Sequence, residues 1–195
     1  MKFPKAKSLL SMALLCAATA SQAVTFYDVQ ANANSTTGGV GLSTVLLTMG
    51  QSFSVSSGIN DLASAGPLPR FSDADGLNKH RVANASDDSG YAAGTVIGEN
   101  FGLFSQNGLS APYGALVGQI GPAGPYFFLG RSFSGPAPAT GLLRLFYFDN
   151  GNADNTGFYH VAFNTPAAAV PEPETYALML AGLTVVGFVA RRRQR

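Results

Sequence analysis

The sequence predicts an all-β protein, an antiparallel β-sandwich of the jelly-roll kind, carried between two apolar terminal helices. Three observations predict it. Between residues 24 and 166, short apolar runs recur between turn signals, the pattern of many short strands. No long stretch of that interval keeps the 3.6-residue period of an amphipathic helix. Uninterrupted apolar runs with basic flanks occur only at the two ends, outside the strand-rich body.

The strands follow in order. Thr25–Gln30, Val45–Thr48 and Ser52–Ser56 open the body, and Gly50-Gln51 forms a tight turn between the second and third. Ala115–Ile120, Tyr126–Leu129, Leu142–Phe148 and Phe158–Phe163 close it. Leu142–Phe148 is apolar on both faces except at Arg144, which suits a central strand. In Phe158–Phe163 the alternation puts Tyr159, Val161 and Phe163 on one face and His160 on the other. Pro67 to Ser110 is turn-rich and polar, and reads as a long excursion over one end of the sandwich. Asp149 to Gly157 is a polar loop between the last two strands.

The ends address the chain. Lys2, Lys5 and Lys7 precede an apolar run, Leu9 to Ala18, and Ser21-Gln22-Ala23 follows as a small-residue cleavage site. Residues 1–23 therefore read as a signal peptide removed after Ala23. Cys16 follows Leu15, which is too large for the position before a lipid-bearing cysteine. Cleavage removes this one cysteine, so the exported body must be held by its core or by bound ions. At the other end, residues 167–175 form a linker containing Pro171, Glu172 and Pro173. An uncharged run, 176–190, reads as a transmembrane helix, and Arg191, Arg192, Arg193 and Arg195 are its stop-transfer charges on the cytoplasmic side. The run is shorter than the typical span of about 20 residues, which suits a transient anchor; a permanent single-span anchor is the alternative. This tail resembles the PEP-CTERM sorting signal. The resemblance implies export across the inner membrane, processing by an exosortase-type enzyme, and a final place at the cell surface or outside the cell.

The formal net charge of +1 hides a division. Between Val24 and Val170 five basic residues face nine acidic ones, a net of −4. A body so poor in lysine carries no electrostatic footprint for nucleic acid.

A second resemblance lies in the body. Pro112-Tyr113-Gly114-Ala115-Leu116-Val117-Gly118, Phe127-Phe128-Leu129-Gly130, Gly141 to Asp149 and Asp154-Asn155-Thr156-Gly157 occur in that order. The run is similar to the galactophilic, calcium-dependent lectins and their galactose-binding-like relatives. That resemblance implies a small sandwich with a shallow calcium site at one edge, where Asp149, Asp154 and Asn155 serve as metal ligands and sugar hydroxyls complete the shell. Asp154 stands where the lectins have an amide. Calcium accepts hard oxygen donors of either kind. Asp and Asn are also ordinary turn formers, so a turn without a metal is the competing reading of the same three residues. Asp73-Ala74-Asp75-Gly76 echoes a calcium loop but places its glycine too early, and reads as a surface turn.

Catalysis has little to build on. The body contains no Gly-x-Ser-x-Gly, His-Glu-x-x-His or Walker loop. His80 and His160 are its only histidines, and no residue singles itself out as the serine of a His80–Asp87 triad. The sequence thus reads as a non-enzymatic exported protein, either a calcium-dependent module for glycans or exopolysaccharide, or a structural matrix protein with no small-ligand site.

Overall fold

A computed structural model of the chain describes residues 24–165 and 175–193. The predicted leader and its cleavage site at Ala23 lie outside the described residues. The body is all-β and mostly antiparallel. Its strands are β1 (Thr25–Gln30), β2 (Leu42–Leu47), β3 (Ser52–Ser56), β4 (Ala63–Ser64), β5 (Phe71–Ser72), β6 (Arg81–Val82) and β7 (Val96–Gly98). They continue with β8 (Leu103–Gln106), β9 (Leu109–Pro112), β10 (Ala115–Ile120), β11 (Tyr126–Phe128), β12 (Ser132–Pro136), β13 (Gly141–Phe148) and β14 (Thr156–Asn164). A single helix, α1 (Thr175–Arg192), closes the described chain.

Two sheets face each other across one core. The first runs β12-β3-β14-β4-β5, with β1 also paired to β14. The second runs β11-β10-β13-β2. The last strand, β14, is the hub of the first sheet, bonded to β1, β3 and β4. Its alternation is the one the sequence predicts: Tyr159, Val161 and Phe163 are buried, while His160 faces water. Those three meet Leu143, Leu145 and Tyr147 of β13 in the core. Each buried side chain of this size contributes roughly 1.5–3 kcal/mol. Phe53 of β3 links the layers through ring contacts with Phe127, Phe133 and Phe163.

β13 is apolar on both faces because both are covered. Its outer side chains, Phe146 and Phe148, pack with Ala111, Phe104, Leu109 and Tyr126 beneath the β8–β9 hairpin. That hairpin turns at Asn107-Gly108, where φ is 46° and 83°. Asn-Gly is the pair best suited to a two-residue turn of this hand. The predicted excursion carries secondary structure of its own. Residues 67–110 carry four short strands, β5 to β8, and the last of them pairs with β9 to cover the second sheet.

A charge cluster anchors the same excursion. Asp73 has no solvent exposure, although the sequence reads it as part of a surface turn. Its carboxylate bonds the guanidinium of Arg81, stands 3.6 Å from Lys79 Nζ and accepts the backbone N–H of Asp75. Asp75 in turn accepts both the backbone N–H and Nε of Arg131. The stretch does turn, with Gly76 N–H donating to Asp73 O, but the Asp73 carboxylate lies in a buried network rather than at the surface.

Candidate functional site

The loop from Asp149 to Asn155 joins the two longest strands, β13 and β14, at one end of the sandwich. It is fastened from below by the segment after β1. Thr36 Oγ1 donates to Asp149 O and accepts from Asp149 N–H, and Ser35 Oγ donates to Gly151 O. Asn32 and Asn152 exchange side chain to backbone bonds in both directions. A polar loop fixed by this many bonds holds its side chains in place without a ligand.

The three predicted ligands all belong to this loop, but only Asp149 and Asp154 line the cleft beside it, while Asn155 is turned inward. Asp149 is buried, and burial raises its carboxyl above the ordinary range; Asp154 raises it further. The Asn150 N–H, the nearby Asn155 amide and the charge of Arg70 act the other way. Asn155 is 3% exposed, and its Nδ2 donates to Ala31 O at 3.2 Å and Gly151 O at 3.1 Å. Those two carbonyls settle which end of the amide is nitrogen, since exchanging the ends would set oxygen against oxygen. Asn155 Oδ1 meets no hydrogen-bond donor among the described residues, although it is fully buried. A buried acceptor without a partner costs roughly 1–3 kcal/mol unless something else bonds it. Asp154 is exposed at the rim.

Asp149 and Asp154 open onto a cleft of about 310 Å³. Its other walls include Arg70 and Phe101 from the excursion and Tyr113 from the turn between β9 and β10. Arg70 Cζ lies 4.9 Å from the Phe101 ring centroid, and Arg70 Nη1 donates to Ala65 O. Gly66 leaves the room. A side chain there would begin 2.6 Å from Asp154 Oδ2 and 3.3 Å from Arg70 Nη1, and its φ of +119° excludes most other residues. Sequence reasoning missed Arg70, Phe101 and Tyr113, which sit far from the loop along the chain.

The other residues weighed for chemistry are placed apart from this cleft. His80 Nδ1 bonds Glu99, and Asp87 is taken up by Asn84 N–H and Ser89, so His80 and Asp87 make no dyad. His160 stacks on Phe26 at 4.8 Å, its Nδ1 bonds Asp28, and its N–H donates to Asp61 Oδ2. Burial raises the Asp61 carboxyl to about 6; the His160 N–H opposes this, and the Asp88 and Asp28 charges add to it. Since that value exceeds the ordinary 3.8, the folded state holds this proton more tightly than the unfolded one. The resulting stabilisation is complete below about pH 4 and disappears as the pH rises through 6. Thermal unfolding should therefore show a higher Tm at pH 5 than at pH 7. Asp61→Asn should flatten that slope, and an unchanged slope would remove Asp61 as its source.

Residues 169–193 match the family model of the PEP-CTERM protein-sorting motif. The tail carries a PEP-CTERM sorting signal. Of this PEP-CTERM motif the structure describes helix α1 and Arg191, Arg192 and Arg193; Pro171, Glu172, Pro173 and Arg195 lie outside the described residues. The helix covers the predicted 176–190 run with the arginines in its last turn. No helix among the described residues is long and apolar enough to cross a membrane. Among solved structures, the chain is similar to the EclA N-terminal domain, a PllA-like lectin, at 20% identity and a TM-score of 0.44. The similarity covers 72% of this chain and 95% of that one. No protein of curated function matches the chain.

Proposed function

We propose that this is an exported, non-enzymatic surface or matrix protein whose cleft binds carbohydrate with the help of calcium. Asp149, Asp154 and Asn155 would hold the ion. Asn155 Oδ1 is the observation that carries the reading: a buried, fixed amide oxygen with no hydrogen-bond partner among the described residues, on a side chain that neighbours the desolvated Asp149. The donor set is all hard oxygen, the kind calcium takes and softer metals do not favour. Calcium bound there would supply coordination positions for a pair of neighbouring sugar hydroxyls. Around it, Tyr113 and Phe101 add aromatic surface to the cleft wall for the apolar side of a sugar, and Asn150 offers an amide at the rim. The leader and tail fit one route: signal-peptide cleavage after Ala23, a transient hold at the inner membrane by the short C-terminal helix, then processing by the exosortase-type enzyme.

Thermal unfolding of the purified protein in calcium and in excess chelator tests this. A site at 100 times its dissociation constant adds about 2.7 kcal/mol, an upward shift of several degrees. Asp149→Ala should abolish the shift. Superimposed curves for the unaltered protein would sink the calcium reading and leave a structural component of the surface.

A further inference from the structure

Resting on that reading, we infer that the cleft selects acidic saccharides, with Arg70 receiving a uronate carboxylate while the sugar's hydroxyls face the Asp149–Asp154 side. Arg70 is the one basic residue in the wall of the cleft. The other arginines at this end, Arg81 and Arg131, are committed to Asp73 and Asp75. Among the described residues Arg70 has no carboxylate within 4 Å; it is placed by the Phe101 ring and by one bond to Ala65 O. One hydrogen bond leaves most of its five N–H donors free. The opening at Gly66 keeps this guanidinium and Asp154 accessible side by side.

The charge balance points the same way. Asp149 and Asp154 carry two negative charges, which a bound calcium cancels. Arg70 then remains as uncompensated positive charge in a half-enclosed cleft, where field lines concentrate. A neutral sugar can offer that planar fork only hydroxyls. A carboxylate matches it with two parallel charge-assisted bonds.

Titration calorimetry in saturating calcium would compare methyl galactoside with methyl galacturonide, and methyl glucoside with methyl glucuronide. The uronide of at least one pair should bind roughly tenfold tighter than its neutral partner, as expected for one charge-assisted contact at a half-exposed site. Raising the salt should shrink that ratio. Arg70→Gln should bring it near one, and Arg70→Lys, which keeps the charge without the fork, should leave it in between. Equal affinities in the unaltered protein overturn the inference and leave calcium-dependent sugar binding standing. A ratio that survives Arg70→Gln also overturns it, since the carboxylate would then be bound elsewhere. If calcium raises Tm but no sugar of either kind binds, the carbohydrate reading fails, and the inference with it.

Discussion

Asp73→Asn should cost about 3–5 kcal/mol, a large share of the 5–15 kcal/mol that holds a typical domain. Asparagine keeps the short-range bond from the Asp75 N–H, so the loss isolates the charge. Arg81, whose side chain is 11% exposed, would be left buried opposite a neutral group. Removing one member of a buried pair is far worse than removing both, because the survivor keeps its desolvation cost. Urea unfolding should show a lower midpoint with an unchanged slope. The double variant Asp73→Asn with Arg81→Met should lose less than the two single losses combined. A cost below about 1 kcal/mol for Asp73→Asn would rank the pair with ordinary surface ion pairs. The excursion would then owe its place to Leu62, Ala83 and Ile97, the small apolar cluster beside it.

Gly114→Ala should cost roughly 3 kcal/mol, and Gly102→Ala gives its control. Both glycines hold a left-handed backbone, at φ +77° and +79°, so alanine at either position meets the same strain of roughly 1–2 kcal/mol. They differ in space. Nothing lies within 4 Å of a methyl group at Gly102. At Gly114 the methyl would stand 2.7 Å from Ser72 Oγ and 2.9 Å from Tyr147 Oη, both in the interior. Overpacking of that kind adds about 1–3 kcal/mol. Gly114 O also accepts the Tyr159 hydroxyl, which is shared with Ser72 and Asp73, so a shift of this backbone disturbs the core on both sides. Chemical denaturation of the two variants should give clearly unequal losses; equal losses would mean the interior yields around the added methyl.

The parts of the fold legible in the sequence are those where burial leaves a periodic mark. β1, β3 and β10 form at their predicted bounds, and β13 and β14 extend theirs by one to three residues. β2 begins at Leu42, earlier than Val45, because Ser43 and Thr44 hide its apolar start. β4 to β7 run to two or three residues each, too short for any alternation to declare itself. The β8–β9 hairpin did carry a readable sign, the Asn107-Gly108 pair between apolar positions. The candidate site divides in the same way. Asp149, Asp154 and Asn155 share one loop and could be read together, whereas Arg70, Phe101 and Tyr113 reach the cleft only through tertiary packing. Asp73 misled for a different reason: composition records that a residue is charged and says nothing of the arginine that takes it inside.

The pairing of β1 with β14 brings the two ends of the body together. Thr25 lies beside Phe163, so the start of the body and the strand end that leads toward the sorting motif leave from the same place. The cleft loop meets β14 at its other end, before Thr156. The nine residues of the strand, eight steps from end to end, separate the two by roughly 26 Å at 3.3 Å per step. Anchoring through the tail, as proposed, would therefore act on the end of β14 opposite the cleft loop.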